Sequence, residues 1–250
     1  MTLRPRLLLA SLAALVLGGA SAHAQTPALQ PRAVVELFTS QGCSSCSPAD
    51  ALFVELAKDP TVIALTMPVT YWDYLGWKDT LGHDAFTKRQ KLYAKSRGDG
   101  QVYTPQAVIN GGAHLVGSDK AGIDKSLRKQ GAFSARVSLS EEGGMVRVAL
   151  SPVDSAGSGA GSVWLLPTTR MITVPIGRGE NQGKTISYAN VVRGMVKVGD
   201  WDGKAATLTT PLASARAVDS DGYVVLVQSE QPGRYGMMPG AVIGAARSGP

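Results

Sequence analysis

The sequence predicts an α/β domain of order β-α-β-α-β-β-α over residues 33–131, followed by an all-β, sandwich-like domain over residues 132–247. Three observations carry this. Up to about Gln130, apolar runs of strand length alternate with longer segments of helical character. From about Phe133 the pattern changes to period-two alternation, as in Val146-Arg147-Val148-Ala149-Leu150. Only two cysteines serve 250 residues, so no disulfide scaffold is in play, and 44% hydrophobic residues supply material for apolar cores instead.

Met1 to Ala24 carries Arg4 and Arg6, then an apolar run from Leu7 to Leu17, then the small-residue ending Ala22-His23-Ala24. This is the pattern of a signal peptide over residues 1–24, cleaved before Gln25, and its apolar run is too short to span a bilayer. A periplasmic or secreted protein is expected, with no membrane span after cleavage. The chain carries +6, two of those charges in the leader, and has no Lys/Arg run that would argue for nucleic acid binding.

Val34-Val35-Glu36-Leu37-Phe38 reads as a mostly buried strand, ended by Gly42, and it delivers Cys43 to its end. Ser47-Pro48-Ala49-Asp50 then offers a hydroxyl N-cap, a proline at the first helical position and a carboxylate in the first turn, predicting a helix from about Pro48 to Lys58. The positive end of that helix faces the Cys43-x-x-Cys46 pair and favours a thiolate. Thr61 to Met67 reads as a second strand closed by Pro68, joined to the first in a parallel unit. An aromatic loop, Tyr71 to Trp77, and a polar helix from about His83 to Arg97 follow. Thr104 to Asn110, the turn Gly111-Gly112 and Ala113 to Val116 read as a hairpin, and Ser118 or Asp119 caps a last helix ending near Gln130.

With a Cys-x-x-Cys between first strand and first helix and a Thr-Pro opening the third strand, residues 33–130 resemble the thioredoxin fold. More narrowly, Val35 to Cys46, Tyr71 to Trp77 and Val102 to Gln106 resemble an exported bacterial family, domain-of-unknown-function family 1223, whose members are regarded as thioredoxin-like. Ser47, where a proline is common, and Pro68-Val69-Thr70, where His-x-Asp is expected, depart from its pattern. The resemblance implies that Cys43 is the exposed nucleophile and Cys46 the resolving thiol, acting through a mixed disulfide. It also implies a cis Thr104-Pro105 bond that lines the substrate site, and a buried Glu36 that moves the proton of Cys46.

Other readings stand beside these. A four-residue disulfide loop is a poor staple, worth about 2 kcal/mol in the chain-entropy model, which favours redox or binding use over structural service. One cysteine pair with His83 and His114 falls short of a zinc set, so no metal and no cofactor are expected, although a soft copper site with Met67 stays open. His83 and His114 read as solvated or paired structural residues. Tyr71 and Trp72, with Tyr74 and Trp77, read either as a substrate-binding wall or as a packing cluster. Lys88, Arg89, Lys91, Lys95 and Arg97 read as a solvated helix face. Glu36 could equally be a carboxylate turned to an edge.

In the second half, strands are expected at Ala135–Leu139, Val146–Leu150, Val163–Leu166, Ile172–Ile176, Gly194–Val198, Ala206–Thr209 and Tyr223–Gln228, with a flexible Gly/Ser loop from Asp154 to Gly161. Gly177 to Thr185 has P-loop character, but three residues rather than four separate Gly179 from Gly183, so it reads as a hairpin loop. The functional expectation is thiol-disulfide exchange on protein thiols or disulfides through Cys43 and Cys46. The alternative is a non-catalytic module that binds an exported protein partner and keeps the pair as a structural disulfide.

Overall fold

Strand-forming sequence dominates this chain. The computed structural model describes residues 30–152, 160–216, 219–233 and 236–249, and among these 45% lie in strands against 19% in helices. The signal peptide read over residues 1–24 lies outside the described residues, as does residues 154–159 of the expected Gly/Ser loop.

The front half runs β1 (Ala33–Thr39), α1 (Ser47–Leu56), β2 (Val62–Pro68), a 3-10 turn (Asp73–Leu75), α2 (Asp84–Arg97), β3 (Gln106–Ile109), β4 (Ala113–Val116) and α3 (Lys120–Leu127). Then come β5 (Val137–Glu142), β6 (Met145–Leu150), β7 (Ala160–Pro175), β8 (Thr185–Val192), β9 (Val196–Asp202), β10 (Ala206–Pro211), α4 (Leu212–Ala215), β11 (Gly222–Gly233) and β12 (Gly236–Arg247).

The expected fold class, a thioredoxin-like α/β domain followed by a sandwich-like domain, is not what these elements build. One curled mixed sheet of order β12-β11-β7-β8-β2-β1-β3-β4, with β9 also on β7, passes through both halves of the chain, and β10-β6-β5 form a second sheet. The junction is β8. It lies parallel to β2 with Thr66 opposite Val191, Thr66 Oγ1 donates to the Ala189 carbonyl (2.6 Å), and Asn190 Nδ2 donates to the Ala64 carbonyl (2.9 Å). No strand is expected at 185–192 from the sequence, and without it the two halves read as separate units. Val163–Leu166 and, except for Ile176, the expected strand Ile172–Ile176 also fall within one 16-residue strand, β7.

Period-two alternation explains how β1 organises the core. Val34 and Phe38 project into one cluster with Phe86 and Tyr93 of α2. Ala33, Val35 and Leu37 project into another with Ala49 and Phe53 of α1 and Ile123 of α3. The strand pairs parallel with β2 and antiparallel with β3, so both edges are occupied and its end is fixed in place. A third cluster joins β5 and β6 to β7 and β11 of the large sheet through Val137, Val146, Val148, Val163, Leu165 and Val225.

Candidate functional site

The chain leaves β1 at Thr39 and turns through Ser40–Gly42 to Cys43, which is joined to Cys46 by a disulfide. Cys46 itself, rather than Ser47, is the N-cap of α1; no side chain caps that end, and Pro48 occupies the first turn. Bonding Cys46 back to Cys43 fixes the residue where the cap must form, and the Ser47 hydroxyl is left buried with no partner. Cys43 is 4% exposed and Cys46 fully buried. Cys43 is therefore the sulfur nearer the surface, but it is not the openly exposed thiol that was expected.

Three predicted residues gather around Cys43. Thr104 Oγ1 donates to the Cys43 sulfur (3.3 Å) and Trp72 Nε1 donates to Thr104 Oγ1 (2.7 Å). The Thr104–Pro105 peptide is cis. Ser45 Oγ lies 3.4 Å from the same sulfur. The aromatic loop divides between its two readings. Tyr71 and Trp72 pack on the core, and Trp77 packs on the cluster around Ile176 and gives its Nε1 hydrogen to Gln41 Oε1 (2.8 Å). Tyr74 stands 76% exposed, stacked on Trp72.

Glu36 sits elsewhere. It is fully buried and bound by Arg89 Nε (2.6 Å) and Arg89 Nη2 (3.2 Å), and Tyr93 also donates to it. Arg89, expected on a solvated face, is itself buried, and its partner carboxylate holds the guanidinium charged, with pKa raised despite burial. Gln228 Nε2 donates to the Tyr93 hydroxyl (2.9 Å), tying this network to β11. A carboxylate so fully engaged is a structural anchor rather than a free proton carrier. His83 and His114 are structural too: His83 Nδ1 caps α2 by accepting from the Ala85 amide, and His114 lies between Tyr103 and Asp99. Met67 is buried in the core. Among the described residues, no three His, Cys, Asp or Glu side chains gather as a metal ion would need.

Two groups that matter at the site were passed over in the sequence. The first is Asp50, read only as a first-turn carboxylate. It lies four residues after Cys46, on the same face of α1, and its amide donates to the Cys46 carbonyl (3.0 Å). Thr39 Oγ1 donates to Oδ1 (2.7 Å), while Oδ2 is buried with no partner. Burial raises this carboxyl to about 8, partly offset by the Thr39 hydrogen bond and reinforced by the charge of Asp79. Burial also pushes Asp79 up, although the amides of Gln41 and Leu81 donate to it. Tyr188 on β8 has its phenol raised by burial and by the charges of Asp50 and Asp79, and its hydroxyl likewise lacks a partner. The spacing of Cys46 and Asp50 was the available signal.

The second is Asn181, in the loop between β7 and β8. Its fully buried Nδ2 donates to the carbonyls of Gln41 (2.9 Å) and Cys43 (3.0 Å). Beside it, Glu180 Oε2 accepts from the Ser44 amide (3.2 Å). Nothing local in the sequence links these residues to the cysteines, 138 positions away.

Fold and site together define a mostly β protein whose central sheet holds a buttressed Cys-x-x-Cys disulfide at a helix N-terminus. The chain belongs to the family described as Protein of unknown function (DUF1223), whose sequence model matches residues 34–228. Among solved structures it is similar to the crystal structure of protein AGR_C_4864 from Agrobacterium tumefaciens. The two share 35% identity over 87% of this chain and 94% of that one, with a TM-score of 0.75. None of the curated proteins matches. Among the described residues, no helix is long and apolar enough to cross a membrane.

Proposed function

We propose that this protein, periplasmic or secreted, exchanges disulfides with protein thiols through Cys43 and Cys46. The observation that supports the reading best is the relay of donors from Trp72 through Thr104 to the Cys43 sulfur. A hydroxyl aimed at a sulfur has little to do in a passive disulfide, whereas it stabilises the thiolate that forms whenever that sulfur is a leaving group.

In the oxidising direction, a client thiolate attacks the Cys43 sulfur. The Cys43–Cys46 bond breaks and Cys46 departs as a thiolate. Asp50, protonated at neutral pH by its burial, supplies the proton that neutralises it. A second client thiolate then attacks the client sulfur of the mixed disulfide, releasing an oxidised client and a Cys43 thiolate held by Thr104 and the positive end of α1. The reducing direction runs the same steps backward, with ionised Asp50 taking the proton of Cys46. Proton acceptance is thereby assigned to Asp50, and Glu36 keeps its ion pair with Arg89.

Burial of both sulfurs favours the second reading, a locked structural disulfide in a protein that binds an exported partner. Trapping separates the two. Cys46→Ala should accumulate mixed disulfides with exported proteins, and Cys43→Ala should not; no captured client in either variant, in a protein whose disulfide equilibrates below about −300 mV, would leave the structural reading.

A further inference from the structure

The loop joining β7 to β8, residues 176–184, is the glycine-rich segment that has no nucleotide-binding geometry, and it is built to a purpose. Ile176 and Lys184 close it with backbone hydrogen bonds, Gly179 and Gly183 adopt φ of +78° and +81°, and Gly179 lies against Trp77 of the aromatic loop. From this fixed base Asn181 reaches the backbone of the cysteine loop. Both hydrogens of its Nδ2 are used, one on the Gln41 carbonyl and one on the Cys43 carbonyl, and Lys184 Nζ holds its Oδ1 (2.8 Å). The Cys43 carbonyl also accepts from the Cys46 amide (3.2 Å), so the residue Asn181 grips is the one whose carbonyl closes the turn between the cysteines.

We infer that Asn181 is a positioning residue for the redox pair: by pinning the carbonyls on either side of Gly42 it keeps the two sulfurs within bonding reach whether or not they are bonded. The inference rests on the disulfide-exchange reading for its purpose, but not for its measurable effect. Holding the dithiol in the geometry of the disulfide raises the effective concentration of one thiol toward the other, which favours the disulfide at equilibrium. Cutting the grip should favour the dithiol. The relevant equilibrium is balanced: the protein disulfide and two glutathione thiols give the protein dithiol and one glutathione disulfide.

The test is that equilibrium measured on the full chain in glutathione buffers for wild type, Asn181→Ala and Asn190→Gly. The last variant also removes an Asn-to-carbonyl bond that spans the two halves of the chain, at Ala64, and glycine tolerates its φ of +46°. Asn181→Ala should lower the equilibrium preference for the disulfide about tenfold, which is a rise of about 30 mV in reduction potential, while Asn190→Gly leaves it unchanged. Equal shifts in both variants, or no shift in a folded Asn181→Ala, would overturn the inference. Should Asn181→Ala fail to fold, Lys184→Met removes only the cation on Oδ1; a smaller shift of the same sign supports the assignment and no shift refutes it. The absolute wild-type potential judges the exchange reading, and the difference between variants judges Asn181, so either can fail alone.

Discussion

Asp50 makes a quantitative prediction about stability. In the unfolded chain its carboxyl titrates near 3.8, and in the fold near 8. Between those values the unfolded state gives up a proton that the folded state keeps, so the contribution of Asp50 to stability is greatest in acid and falls as pH rises, by about 1.4 kcal/mol per pH unit. Above pH 8 both states are ionised and the loss levels off. At pH 7 the accumulated penalty is up to about 4 kcal/mol, a large part of the 5–15 kcal/mol that folds a domain. Asp50→Asn keeps the shape and an acceptor for Thr39 while removing the proton, so it should match wild type near pH 3 and exceed it by up to about 4 kcal/mol at pH 7. Urea unfolding of both oxidised proteins at several pH values from 3 to 9 reads this directly. Of the groups facing Asp50, Asp79 and Tyr188 titrate and are present in both proteins, and Thr39 supplies a hydrogen bond to the side chain in each. A difference independent of pH would refute the reasoning, because it would mean that Asp50 titrates at the same pH in the folded and unfolded states.

Other consequences are as definite. Arg89→Met strands the fully buried Glu36 and should cost about 3–5 kcal/mol in urea unfolding at neutral pH, while Glu36→Gln with Arg89→Met together should recover most of it. Thr104→Val removes the hydroxyl that reaches the Cys43 sulfur and should raise the thiol pKa of reduced Cys43 by about one unit, read from the ultraviolet absorbance of its thiolate. Asp50→Asn should also slow proton-coupled departure of Cys46 in stopped-flow exchange with a dithiol, most strongly below pH 8, and leave the trapping behaviour of Cys46→Ala intact.

The cysteine segment was legible because its signals are local. An apolar run ending in glycine, then Ser-Pro-Ala-Asp, specifies strand and helix without outside help, and the helices of the front half begin within a few residues of where their caps place them. What escaped is held by distant partners. Ser187, Tyr188 and Asn190 break the apolar pattern of β8, and their partners are far away in the chain or on another strand: Ser187 meets Thr173 of β7 and Asn190 bonds the Ala64 carbonyl of β2. No strand is expected over β12, a segment interrupted by Gly236, Gly240 and Gly244, yet a Cβ at Gly240 would run into Ser229 and one at Gly244 into Ala135; those two glycines let neighbouring backbone pack closely. Arg89 reads as one cation among five on a polar helix, and only the fold reveals Glu36, 53 positions away, across from it.

The parallel seam between β2 and β8 has a bearing on how this protein can be cut. A fragment ending at Gly131 would keep both cysteines, their helix and the cis proline, and would resemble a self-sufficient redox cassette on paper. It would also present the outer edge of β2 as a bare row of amides and carbonyls, an invitation to pair with other chains, and it would leave the carbonyls of Gln41 and Cys43 without the asparagine that grips them. The disulfide is encoded in four consecutive residues, but the amide that grips the carbonyls beside it comes from Asn181, 138 positions after Cys43, so a fragment carrying the motif does not carry the whole arrangement around it.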